Sequence, residues 1–220
     1  MVPFETFLIW VCNFEIQKNI RFQSSKREYL HWYGMESSLD IGLCSGNYYD
    51  YADDEIALQK ELELIEVLKP NEYFEDAEFP ADGRALYFDP YNPPKGALPE
   101  DNIQWCSIAR GEVIDCNEPT LFRDHPITSS IIVPGALGNV YFVNALRILS
   151  TQKGCLKRLI VSDTYASKGI YTLKFNKAGK WRYVHIDDRI PCRMSGKVNF
   201  TRNLHPNETF SMIIEKAYAK

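Results

Sequence analysis

The stretch from Pro134 to Ser150 constrains this chain more than any other. Gly135 and Gly138 stand three residues apart, where a loop can turn tightly and another backbone can approach closely. A helical pattern follows, beginning near Gly138 and running to about Thr151. Val140, Val143, Leu146, Arg147 and Leu149 mark one face; Phe142, Ala145 and Ile148 lie opposite. A helix apolar nearly all round belongs inside a core, so the rest of the domain is expected to wrap around it. The start of such a helix, with its unpaired N–H groups and positive dipole end, stabilises a thiolate. The residue there is Val140, which has neither a proton to lose nor a lone pair to attack with.

The remaining elements point to an α+β fold. Tyr171, Leu173 and Phe175 alternate with Thr172 and Lys174, which is strand periodicity. Asn176 to Gly179 reads as a turn and Trp181 to Ile186 as the returning strand of a hairpin. A last helix is expected from near Asn207, with Phe210, Ile213, Ile214, Ala217 and Tyr218 on its apolar face. Asp53 to Lys69 predicts an earlier helix, capped by Asp53, with Leu58, Leu62, Ile65 and Leu68 turned inward and Pro70 as its stop. Five prolines between residues 71 and 100 predict extended chain with turns laid over a surface. Residues 1–50 carry short apolar runs but no motif with a mechanism behind it. The expected organisation is an N-terminal segment of unassigned type over 1–70, ending in the acidic helix, and a separate lobe over 71–220.

Apolar residues make up 45% of the 220, enough for a core. The six cysteines show neither C-x-x-C spacing nor a paired histidine pattern, which argues against a zinc site or a redox motif. With no secretory leader and no membrane-length apolar run, thiols in a reducing cytoplasm are the expectation. Charge is uneven: residues 1–100 carry 8 Lys+Arg against 19 Asp+Glu, and residues 101–220 carry 17 against 10. The simplest account is an acidic front segment lying against a basic lobe. The basic residues are not interleaved with a nucleic-acid reading motif, so no nucleic-acid partner is expected.

The Pro134–Phe142 stretch closely resembles the active-site motif of the calpain family of papain-like cysteine proteases, Q-G-x-L-G-D-C-W. Gly135, Leu137 and Gly138 are kept, while Pro134, Asn139, Val140 and Tyr141 replace the Gln, Asp, Cys and Trp. Further stretches are similar to the family in the same order. They include Phe79-Pro80, Tyr87 to Pro90, Asn92 to Pro99 with Trp105, and Gly179 to Val184. Ile186-Asp187-Asp188-Arg189-Ile190-Pro191, Asn207-Glu208 and Glu215 to Lys220 complete the series.

The resemblance implies the first lobe of a papain-like core, with its second lobe, carrying the catalytic His and Asn, beyond what is present here. Catalysis in such a site needs a thiolate, a base and an oxyanion hole. Val140 removes the first and Pro134 removes the side-chain donor for the last. Cys106, Cys116 and Cys155, with His31, His125, His185 and His205, suggest no replacement triad. Asp188 and Arg189 are expected to form a local ion pair or a turn-fixing pair, a structural role. The family's calcium site draws on an Asp before the nucleophile and the Glu of N-E-F-W; here these are Ile131 and Glu208, with Asp124 near enough to help. Calcium wants about six to eight oxygens, so this site is expected to be crippled: no cofactor is expected, with calcium at Glu208 kept as the alternative. The implied function is that of an inactive, regulatory or interaction pseudoprotease with a protein partner, such as another calpain-like chain. The alternative is a fragment or subunit of a calcium-dependent endopeptidase needing a second lobe in trans.

Overall fold

The computed structural model describes residues 51–86, 91, 102–114, 116–123, 131–136, 139–150, 154–177 and 180–220. Expectations for residues 1–50, for most of the proline-rich 87–101, and for Asp124, His125, Leu137 and Gly138 lie outside them. In chain order the helices are α1 (Tyr51–Glu66), the single turn α2 (Gly83–Leu86), α3 (Val140–Ser150) and α4 (Phe210–Ala219). The strands are β1 (Ile103–Ser107), β2 (Ile132–Val133), β3 (Ile160–Ser162), β4 (Ile170–Lys177), β5 (Lys180–Asp187), β6 (Arg189–Arg193) and β7 (Arg202–Asn203).

All strand pairs are antiparallel. β3, β4 and β5 form one sheet in that order, β1 pairs with β6, and β2 pairs with β7. The β4–β5 hairpin is the one the alternation predicts, with Leu173 opposite Val184 and Asn176 opposite Trp181. Ile170, Leu173 and Ile186 are buried along it.

α3 and α4 supply much of the core. Phe142, Val143, Leu146 and Leu149 of α3 and Phe210, Ile213, Ile214 and Ala217 of α4 are buried. The two helices meet where the Phe142 ring stacks on Tyr218, with centroids 4.8 Å apart, and Phe175 of β4 meets Tyr218 edge-on. Fully burying side chains of this size stabilises by about 1.5–3 kcal/mol each, so these two helices and the hairpin are the centre of the fold. α3 is less enclosed than its composition predicts. Val140, Tyr141, Asn144 and Ile148 face outward along one stripe.

α1 departs further from expectation. It begins at Tyr51, so Asp53 and Asp54 lie in its first turn and Asp53 is not its cap. Leu58 and Leu62 of the predicted inward stripe are 38% and 37% exposed, while the residues that reach the interior are Ala57 and Glu61. The helix is turned on its axis because its contact surface is polar, as described below.

The acidic front residues do lie against basic ones. Asp54 pairs with Lys174, Glu75 with Arg110 and Arg189, and Asp76 with Lys220. Among the described residues, part of the charge asymmetry is thus met by ion pairs within the chain.

Candidate functional site: a nucleophile turn without a nucleophile

The turn before α3 is fixed from below. A Cβ on Gly135 would stand 2.1 Å from the carbonyl carbon of Phe200, a backbone atom that cannot give way, so only glycine fits. The next residue donates its N–H from Ala136 to the Asn199 carbonyl at 2.9 Å. From α3, the Arg147 guanidinium donates twice to the Ile132 carbonyl, at 3.1 and 2.9 Å, which holds the helix to β2. Proline at 134 is exposed and brings no N–H to this turn.

Asn139 opens the helix. Its carbonyl accepts the N–H groups of Phe142 and Val143, at 2.9 and 3.2 Å. Its side-chain amide donates to Glu215 Oε1 at 2.7 Å. Glu215, buried on α4, also accepts the Thr201 N–H at 2.9 Å and the Thr201 hydroxyl. Burial pushes its pKa up, against the pull of the three donors. An amide at 139 can donate where the aspartate of the motif could only add a second carboxylate. This contact spans 76 residues of sequence, so no local pattern announces it.

Val140 follows at the first helical position, 55% exposed, with Tyr141 36% exposed beside it. The motif resemblance aligns this position with the family's nucleophile, and an isopropyl group occupies it. No other described thiol is placed to substitute. Cys106, Cys116, Cys155 and Cys192 are all buried. Burial raises the Cys106, Cys116 and Cys192 pKa values, which suppresses the thiolate. His185 sits in β5 with Nδ1 2.9 Å from the Thr172 hydroxyl. Burial, followed by the charges of Lys220 and Lys60, lowers its pKa.

Beside this turn lies a buried charge cluster that sequence reading assigned wrongly. Arg189 pairs with Asp187 and not with its neighbour Asp188, donating from Nε at 3.0 Å and from a terminal nitrogen at 2.7 Å. Successive residues of an extended chain point to opposite faces, so 187 and 189 share a side and 188 does not. Asp187 also binds the Lys216 ammonium and accepts the Asp76 N–H at 2.8 Å. Burial would raise its pKa, but Lys216 and Arg189 pull harder and leave it lowered. Lys216 lies 5.6 Å from the centroid of the Trp105 ring. Asp188 instead accepts the Ser107 hydroxyl and the Ala109 N–H, with its pKa raised by burial.

Glu208 is buried, with Oε1 accepting the Arg123 N–H at 3.2 Å. Ile131 is buried as well, its carbonyl accepting the Leu204 N–H at 2.7 Å. Among the described residues no three His, Cys, Asp or Glu side chains gather where they could hold a metal ion. No helix of the described residues is long and apolar enough to cross a membrane.

A glycine-bearing turn feeding a buried helix, a long hairpin and a closing amphipathic helix define the first lobe of a papain-like cysteine-protease core. The chain belongs to the calpain family: the family's cysteine protease domain matches residues 74–220. Among curated relatives, the calpain-type cysteine protease DEK1 of Zea mays is 37% identical over 155 residues, covering 70% of this chain and 7% of its own. Calpain clp-4 of Caenorhabditis elegans is 32% identical over 177 residues, covering 77% of this chain and 23% of its own. Calpain-5 of Mus musculus is 31% identical over 164 residues, with shares of 70% and 23%. The chain thus spans a small part of the length of the relatives it matches.

Proposed function

We propose that this chain is a non-proteolytic member of the calpain family, a pseudoprotease that acts by binding a protein partner through the lobe described above. The observation that carries the reading is Val140 at the first position of α3. A partner lobe bringing a histidine would find no thiol there to activate. By analogy with a serine protease, losing one oxyanion donor costs roughly 10²–10³ in rate and losing the nucleophile roughly 10⁶. Pro134 and Val140 together leave the family reaction without either. The fold-bearing parts are kept in full: Gly135, the core face of α3, the hairpin, the Asp187 cluster and α4. Val140, Tyr141 and Ile148, at 55%, 36% and 43% exposure, put apolar surface on the outer stripe of α3, where a protein partner can seat.

The test uses the purified full chain with casein and with a fluorogenic calpain peptide, with and without calcium, and with a thiol-directed active-site probe. No turnover and no labelling are expected. Turnover abolished by changing one cysteine to serine would reveal a displaced nucleophile and overturn the reading. Turnover appearing only when a calpain second lobe is added would establish the alternative, a subunit completed in trans.

A further inference from the structure

α1 is held by different forces from the other long helices. α3 and α4 bury Phe, Val, Leu and Ile. α1 presents Asp54, Ala57 and Glu61 to the sheet and leaves Ile56, Leu58 and Leu62 exposed. Asp54 accepts two bonds from the Lys174 ammonium, at 2.8 and 2.6 Å, and one from the Tyr183 hydroxyl at 2.5 Å. Glu61 accepts the Ser162 hydroxyl at 3.1 Å and the Thr172 hydroxyl at 3.0 Å.

The spacing is matched on both sides. Asp54 and Glu61 are seven residues apart, two turns or about 10 Å along one helix face. Thr172 and Lys174 are two apart on β4, so they project from the same face of the sheet. Ser162 of β3 and Tyr183 of β5 flank them. This is a concave set of donors for two carboxylates, built on rigid strands. It is also a surface that water can solvate when the helix leaves, unlike the surface beneath α3.

We propose that this face of the β3–β4–β5 sheet is a receptor for an acidic helix bearing carboxylates seven residues apart, filled in cis by α1 as a removable strap. The occupant that replaces α1 is an acidic amphipathic helix of a partner protein. A 16-residue helix has little stability of its own in water, so α1 depends on this clasp to stay helical. Burial holds the Glu61 pKa above its usual value despite the two hydroxyls. The link after the strap runs through exposed Val67 and Lys69 and is pinned where the Lys168 ammonium donates to the Pro70 carbonyl and Phe74 donates its N–H to the Lys168 carbonyl at 2.8 Å, so the strap opens N-terminal to Pro70.

The test is hydrogen exchange by mass spectrometry on the full chain and on Asp54→Ala/Glu61→Ala, with binding of a fluorescent peptide of residues 51–69. In the unmodified chain, α1 amides are expected to exchange at least about tenfold faster than those of α3 and α4, as a separately opening unit. In the double variant, α1 protection should vanish while α3 and α4 keep theirs. That variant should bind the peptide at least about tenfold more tightly than the unmodified chain, whose receptor is filled. A peptide with both carboxylates changed to alanine should not bind. Exchange of α1 in step with α3 and α4, loss of their protection in the double variant, or equal binding of the two peptides would each overturn the proposal.

Discussion

Lys216→Met tests whether the buried charge cluster holds α4 to the β1–β6 pair. The substitution keeps the buried stem of the side chain and removes only the ammonium. Asp187, fully buried, would lose one of its two cations and keep Arg189, which lies on the half-buried side. Breaking a buried pair by removing one partner costs about 3–5 kcal/mol; the remaining Arg189 places Lys216→Met near the lower end, at about 3 kcal/mol. Asp187→Ala should cost more, about 5 kcal/mol, because it strands Lys216, Arg189 and the Asp76 N–H together. Trp105 packs against Lys216 and supplies a fluorescence reporter in the right place. Urea titration should give lower midpoints in that order, with m unchanged. A Lys216→Met loss under about 1 kcal/mol, or a smaller loss for Asp187→Ala than for Lys216→Met, would show that the cluster is solvated enough to behave as a surface pair.

Val140→Cys should give no proteolysis of casein, since the family resemblance assigns the base to a second lobe and Pro134 leaves the oxyanion site short of a donor; measurable turnover would place a base within these residues. Asn199 is buried with neither end of its side-chain amide hydrogen-bonded, so Asn199→Val should stabilise by about 1–3 kcal/mol. A drop in the denaturation midpoint would mean that the amide is serving an internal polar contact. His185 has a lowered pKa, so its neutral form contributes stability above pH 6.5 that is lost as pH falls through the lower folded value. Comparing stability against pH for the unmodified chain and His185→Asn should show the unmodified chain losing its margin below pH 6.5; a constant difference between the two would refute the assignment.

The elements that sequence reading placed well are those whose pattern is set by the core itself. The β4–β5 alternation and the α4 spacing follow from burying Leu173, Ile186, Phe210 and Ile213. α1 was placed but turned wrongly, because four aliphatic residues in a stripe look like a core face. Its real partners, Lys174 and Thr172, lie 120 and 111 residues away and are polar. Pro134, Asn139 and Val140 were legible through the motif. The reason Asn139 suits its place was not, since it depends on Glu215 of another helix. Arg189 was paired with the adjacent aspartate in sequence, where strand geometry puts the alternate one on its side.

The Asp76–Lys220 contact joins residues 144 apart, and Asp187–Lys216 and Glu215–Thr201 are likewise made by the α4 segment. During synthesis, therefore, Asp76, Asp187 and the Trp105 ring wait for their partners until α4 has been made and has left the ribosome. Closure over such separations is slow, and the hairpin must stand meanwhile with its apolar side uncovered. Chaperone demand should accordingly peak near the end of translation of this lobe, when Asp76 and Asp187 still lack the lysines of the α4 segment.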